Sequence, residues 1–199
     1  MASTPFLEKV PLRFEQVNVR EDGIDTVQFL EAAKGVLYMF DELGSTAFAP
    51  VKSDISGNII KVTKKYESDK VRYDTLQKIV LSEAQTKDRT ATQGLLWLKR
   101  GLDFAATAIV KNLETVGEEL STSFSKAYDE TLKQFHSFLI RPVFSLAMRA
   151  CPKSADFYNK IGGDSQTTKD ELLVWAKALK NLIAILDDFY AKGKFDKGL

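Results

Sequence analysis

Asp54, Asn58 and Lys61 fall within eight residues of one another, on a stretch whose apolar positions Val51, Ile55 and Val62 recur at helical spacing. On a 100° wheel the three polar residues cluster at the edge of the apolar stripe, so an acid, an amide and a base share one side of a helix. Together they offer hydrogen-bond acceptors and donors side by side. The plainer alternative is a solvated flank, because Asp54 and Lys61, seven positions apart, are too distant to pair well. Gly57 speaks against it. A glycine inside a helix costs about 1 kcal/mol relative to alanine, and here its presence points to close approach of a backbone or a ligand.

Trp97 lies away from the Leu95, Leu98 and Leu102 stripe of its own segment, on a side shared with Arg100 and Phe104. Something should cover so large an aromatic: either a second helical layer, or a sugar ring stacked on it as on a platform. His136 sits beside Phe135 and one turn from Ile140, at the flank of another apolar stripe. Alone it reads as a core histidine with satisfied nitrogens. Cys151, next to Pro152, reads as an inert buried thiol, since no second cysteine or histidine stands by to activate or resolve it.

The elements that must position these residues are helices, because spacing of three and four dominates from residue 25 onward and no stretch alternates over the length of a strand. The class is all-α. A first long helix opens at Asp25, where Asp25-x-x-Gln28 resembles a capping box, and stops near Gly44. A second follows Pro50 and runs into the charged stretch from Lys64 to Lys70. A third spans roughly Asp74 to Ser82, and a fourth about Thr92 to Val116. The fifth starts near Ser121 and carries Phe124, Tyr128, Leu132, Phe135 and Leu139 up to Pro142, which kinks or breaks it. A short helix around Asp156 to Ile161 precedes Gly162-Gly163. Thr168-x-x-Glu171 caps a last helix with Leu172, Trp175, Leu179, Ile183, Leu186 and Phe189 on its buried face.

With 199 residues, 44% of them hydrophobic and 28% charged, the chain is of ordinary globular composition and large enough to bury about 70% of its unfolded surface. Its net charge of +1 argues against nucleic acid as a partner. One cysteine and one histidine leave neither a disulfide framework nor the usual zinc or iron ligand set, and no cofactor is expected. Met1 to Leu12 lack a basic start followed by an apolar core, so a cytoplasmic location is expected. Enzyme signatures are poor: there is no G-x-S-x-G elbow, no phosphate loop, no H-E-x-x-H and no dinucleotide fingerprint. The cluster around Asp54 holds a single carboxylate, too few for ordinary glycoside hydrolysis. Binding without chemistry is the expectation.

Two segments, Pro50-Val51-Lys52-Ser53-Asp54-Ile55-Ser56-Gly57-Asn58-Ile59-Ile60-Lys61 and Leu96-Trp97-Leu98-Lys99-Arg100-Gly101-Leu102, resemble the signature segments of the glycolipid transfer protein family. Lys133-Gln134-Phe135-His136-Ser137-Phe138 is similar to the family's histidine helix, and helix order agrees from about residue 25 to 190, with the fungal branch most alike. The resemblance implies a two-layer helical sandwich, one domain over residues 1–199 with 1–24 as a partly ordered N-terminal extension. It implies that Asp54 and Asn58 bind the first sugar and the sphingoid amide, that Lys61 reaches sugar hydroxyls, and that Trp97, between the layers, stacks under the ring. His136 would donate to the ceramide carbonyl, and Phe138 would line the chain cavity or touch the bilayer.

Members that carry ceramide phosphate replace the amide at the position of Asn58 with lysine and use arginines in place of the tryptophan. Keeping Asn58 and Trp97 therefore implies an uncharged sugar. Animal members end in an aromatic and basic tail near the headgroup, whereas this chain ends Lys194-Phe195-Asp196-Lys197-Gly198-Leu199, with no tyrosine after Tyr190. The implied function is a non-enzymatic carrier of glycosphingolipids between membranes, with transient contact at the membrane surface through a modest aromatic and basic patch. A glycolipid sensor acting through a protein partner is the alternative in another class. Hydrolysis by Asp54 and His136 is a third reading, short of a second carboxylate.

Overall fold

The computed structural model describes residues 5–199. Of the segment 1–24 expected as an extension, the described residues 5–24 put Phe6, Leu7, Phe14, Val17 and Ile24 into the core. A one-turn helix α1 (Phe6–Lys9) and a 3₁₀ turn (Phe14–Gln16) place Phe6 and Phe14 against Trp175, with ring centroids 5.6 and 5.1 Å away. A hairpin the helical periodicity does not announce follows, two residues per strand, with Val19 of β1 (Val19–Arg20) opposite Ile24 of β2 (Gly23–Ile24).

α2 (Thr26–Leu43) opens as expected, the Asp25 carboxylate accepting the Gln28 N–H at 3.0 Å, and Gly44 closes it at φ 74°. The box is half formed, however, because the Gln28 side chain turns away to accept from the Asn18 N–H at 2.7 Å. α3 (Ala49–Ser68) has Pro50 in its first turn, where a missing N–H goes unnoticed. After α4 (Leu76–Glu83) comes the longest element of the middle of the chain, α5 (Thr90–Glu114). Buried Glu83 holds its start: the carboxylate accepts from the backbone N–H of Ala91 (3.3 Å) and from both the N–H and the hydroxyl of Thr92 (2.8 Å each).

α6 (Leu120–Glu130) is shorter than the expected fifth helix, and the reason is local. The Ala127 carbonyl accepts both the Thr131 backbone N–H at 3.0 Å and the Thr131 hydroxyl at 2.7 Å, and the ladder ends there, Thr131 standing at φ −111° and ψ −70°. A 3₁₀ turn (Lys133–Phe135) and an extended His136 form a linker to α7 (Arg141–Arg149). Pro142 thus sits in the first turn of a new helix rather than ending an old one. His136 therefore lies off any helix, contrary to the expectation of a histidine helix. α8 (Ser154–Ile161) and α9 (Gln166–Gly193) complete the chain. The last helix is capped by Ser165, which accepts the Thr168 N–H at 3.2 Å, and so begins before the expected Thr168.

α5 is the centre of the helical sandwich, packed against α3, α6 and α9. Its buried residues wrap almost the whole cylinder, which a helix with neighbours on several sides requires. From Ala91 to Ile109 what remains open is one narrow stripe: Gln93, Trp97, Arg100, Asp103, Thr107. Trp97 therefore stands on the outward stripe of α5 and not between two layers. Close approach occurs at Gly94 and Gly101, not at Gly57. A Cβ at Gly94 would meet Lys61 Cβ at 3.0 Å and one at Gly101 would meet Ile55 at 3.3 Å, whereas nothing lies within 4 Å of a Cβ at Gly57. Gly57→Ala is accordingly expected to raise stability by about 0.5–1 kcal/mol with no change in ligand binding, measured by denaturant unfolding.

Candidate functional site

The tight crossing of α3 and α5 brings the two signature segments face to face. Gly94 lets α5 approach until its Cα side meets the Lys61 stem and the Asn58 carbonyl, 3.5 Å from where a Cβ would be. One turn on, Trp97 then faces the polar edge of α3. Between them lies a cavity of about 440 Å3, lined by Pro50, Asp54, Asn58, Lys61, Gln93, Trp97, His136, Ile140, Val143 and Phe144. Five expected site residues, Asp54, Asn58, Lys61, Trp97 and His136, share this one pocket.

Of the three α3 residues, Asp54 and Lys61 are exposed and only Asn58 is withdrawn from solvent. Asn58 is only 2% exposed, and its side-chain oxygen accepts from Lys61 Nζ at 3.1 Å. Its amide nitrogen is left to serve the Asp54 side. Asp54 keeps an open face, yet the surrounding protein displaces enough water to raise its pKa above the ordinary aspartate value, opposed by the Lys61 charge and the Asn58 amide. A carboxylate held this way is an under-solvated acceptor beside a fixed donor pair, suited to neutral hydroxyl and amide partners.

Across the pocket, the His136 ring lies nearly parallel to Trp97, 13° between planes and 6.1 Å between centroids, and packs on Phe144 at 4.4 Å. The Arg100 guanidinium lies 4.9 Å from the Trp97 ring centroid and stacks on Phe135 at 3.6 Å. Cover for Trp97 thus comes from the α6–α7 linker rather than a second helix layer. Burial, with the Arg141 charge adding to it, lowers the His136 pKa, so the imidazole is neutral at neutral pH.

Phe138 is not part of the pocket. It is 78% exposed and sits with Leu139 (68%), Ile140, Val143 and Leu146 on an apolar surface beside the pocket mouth, flanked by the exposed Lys133, Arg141 and Arg149. Reasoning from sequence passed over Gln93, Ile140, Val143 and Phe144. Gln93 has a legible signal, one turn before Trp97 on the same face, while the other three became pocket walls only because α6 ends early. Beneath the pocket an aromatic seam runs inward: Phe144 to Tyr128 (5.5 Å), Tyr128 to Phe104 (6.3 Å), Phe104 to Phe124 (5.7 Å) and Phe124 to Phe48 (6.2 Å). A second cavity of about 310 Å3 lies beyond Arg100, against α9 and Asp196. Three of the carboxylates around it are paired, Asp187 with Lys99, Asp103 with Lys180 (2.5 Å) and Glu130 with Lys111 (2.9 Å). The C-terminal residues are held there by Arg89, which donates to the carbonyls of Phe195 and Lys197.

Comparison with known proteins agrees with this geometry. The family model for glycolipid transfer protein matches residues 24–163. A glycolipid transfer protein of Aureobasidium melanogenum is 48% identical, over 94% of this chain and 92% of its own length. The crystal structure of HET-C2, a fungal glycolipid transfer protein, superposes with a TM-score of 0.89 at 43% identity, covering 94% of this chain and 96% of that one. The fold that FAPP2 uses to select simple glycosphingolipids superposes with a TM-score of 0.84 at 38% identity, covering 96% and 97%. The signature segments, the sandwich built on α5 and these relatives agree: the chain belongs to the glycolipid transfer protein family.

Proposed function

We propose that the protein is a non-enzymatic carrier that lifts neutral glycosphingolipids out of one membrane and delivers them to another, acting as a single domain over residues 1–199. The observation that carries this reading is the joining of Asp54, Asn58, Lys61, Trp97 and His136 in one pocket between a polar mouth and an apolar floor. In it, Trp97 stacks under the first sugar, Asn58 and Lys61 bond its hydroxyls, Asp54 accepts from hydroxyl and sphingoid amide, and His136 donates to the ceramide carbonyl. The pocket size suits a headgroup. The chains follow the aromatic seam, whose members Phe104, Phe124 and Phe48 are fully buried and so must part to admit them.

The energetics support exchange rather than storage. Burying roughly 30 methylenes at about 0.8 kcal/mol each recovers about 24 kcal/mol relative to water, close to what the bilayer provides, so net transfer is near neutral. Headgroup contacts then supply selection. Among the described residues the pocket holds one carboxylate, in keeping with binding and not bond cleavage. No described helix is long and apolar enough to cross a membrane, and the exposed surface around Phe138 supports peripheral docking. The proposal places the protein in the cytoplasm, in keeping with a chain that has one cysteine.

The test is recovery of bound lipid. Incubated with vesicles of mixed lipids and re-isolated, the protein should carry glycosylceramide in equimolar amount, identified by mass spectrometry, with no free sugar released. Recovery of phosphatidylcholine or ceramide phosphate alone defeats the proposal. Trp97→Ala should weaken glycosylceramide binding by about 0.5–1.5 kcal/mol beyond lost area, a factor of roughly 2–12, read by titration with a short-chain glycolipid.

A further inference from the structure

His136 is the only histidine of the chain and has two ring nitrogens, of which only one can carry the proton in the neutral form. Its Nδ1 lies 3.2 Å from the Tyr128 hydroxyl. Tyr128 is 3% exposed, its ring stacked on Phe144 at 15° and met edge-on by Phe104, so the hydroxyl cannot swing to water. Nδ1 is the one hydrogen-bond partner of that hydroxyl among the described residues. If Nδ1 held the proton it would donate to the phenolic oxygen and leave the phenolic proton buried without an acceptor. If Tyr128 donates, every proton is satisfied and the imidazole N–H falls on Nε2.

We propose that Tyr128 is a positioning residue that locks His136 in the Nε2–H tautomer, so that the nitrogen facing the pocket is always a donor. The proposal rests on the carrier reading for its purpose, since a donor there meets the carbonyl of the ceramide amide. The surroundings agree. Burial raises the Tyr128 pKa, with Asp129 adding and Arg141 opposing, so the phenol keeps its proton. The His136 ring packs on Phe144 at 4.4 Å, and its backbone carbonyl accepts from Arg141 Nε at 3.0 Å, so ring and hydroxyl hold their register. A partner that fixes the tautomer of a histidine through its far nitrogen is a general device wherever the near nitrogen must present one role.

A lone histidine makes the test direct. Long-range nitrogen–proton NMR of the wild-type protein, above neutral pH, should show Nε2 protonated and Nδ1 as an acceptor, and titration with glucosylceramide should shift Nε2 while Nδ1 stays an acceptor. In Tyr128→Phe the nitrogen shifts should move toward the average of exchanging tautomers, and glucosylceramide affinity should fall roughly two- to fivefold as the competent fraction drops. A proton on Nδ1 in the wild type overturns the lock, as does a Tyr128→Phe spectrum and affinity identical to wild type. The wild-type measurement decides even where the variant does not fold. The two readings separate cleanly. Lipid bound and transferred with Nδ1 protonated defeats the lock alone, whereas an Nε2 proton that no glycolipid perturbs defeats the carrier reading and with it the role of the donor.

Discussion

Replacing Asp54 with valine is expected to remove glycolipid binding while leaving the protein at least as stable as before. Valine cannot accept, so a hydroxyl and an amide N–H of the bound lipid lose a charged partner. Charge-assisted bonds of this kind contribute about 1.5–3 kcal/mol each, and the loss of about 3–4 kcal/mol lowers affinity by two to three orders of magnitude. Stability moves the other way. The raised pKa of Asp54 means that folding disfavours its ionised form, so this group contributes stability only at pH below its folded pKa, and that contribution is lost as pH rises through it. At neutral pH the carboxylate is a liability that valine lifts. The same sign gives a pH dependence: glycolipid affinity should decline on acidification earlier than an ordinary aspartate would make it. Calorimetry on the variant checks both halves, and a lowered Tm with retained binding would assign Asp54 a structural role.

The second large effect is expected at the surface. Phe138→Asp with Leu139→Asp puts two charges where apolar side chains now face outward. Partial insertion of each side chain into a bilayer is worth about 1 kcal/mol, so losing both removes about 2 kcal/mol, roughly thirty-fold in the vesicle-bound fraction. Transfer between vesicles should fall accordingly. Binding of a water-soluble, short-chain glycoside should not change, because neither residue lines the pocket. Equal losses in both assays would place these residues in the site itself, and no loss in either would mean that another surface docks.

Local rules made some features legible and tertiary context hid others. Asp25 and Gly44 bound α2 through side-chain and backbone geometry that depends on a few neighbouring residues, so spacing and residue type suffice. The end of α6 falls at Thr131, whose hydroxyl bonds back to the Ala127 carbonyl, and the apolar pattern through Phe135 and Leu139 conceals it. A large aromatic off its apolar stripe announces that Trp97 needs cover, but what covers it is a linker whose existence follows from that same early stop. Gly57 drew notice because a helical glycine is costly. The glycines that matter, Gly94 and Gly101, gain their meaning from a neighbouring helix, and only the crossing of α3 and α5 tells the cases apart. Tyr128 gave no sign at all: eight residues before His136, it reaches the ring only because the chain bends between them.

Transfer of fluorescent glucosylceramide between neutral vesicles, run beside ceramide phosphate and phosphatidylcholine, tests the central claim most directly. Movement of the glycolipid alone, lost in Asp54→Val, is the predicted result. Equal transfer of all three lipids, or of none, would contradict a carrier that selects its cargo through the sugar.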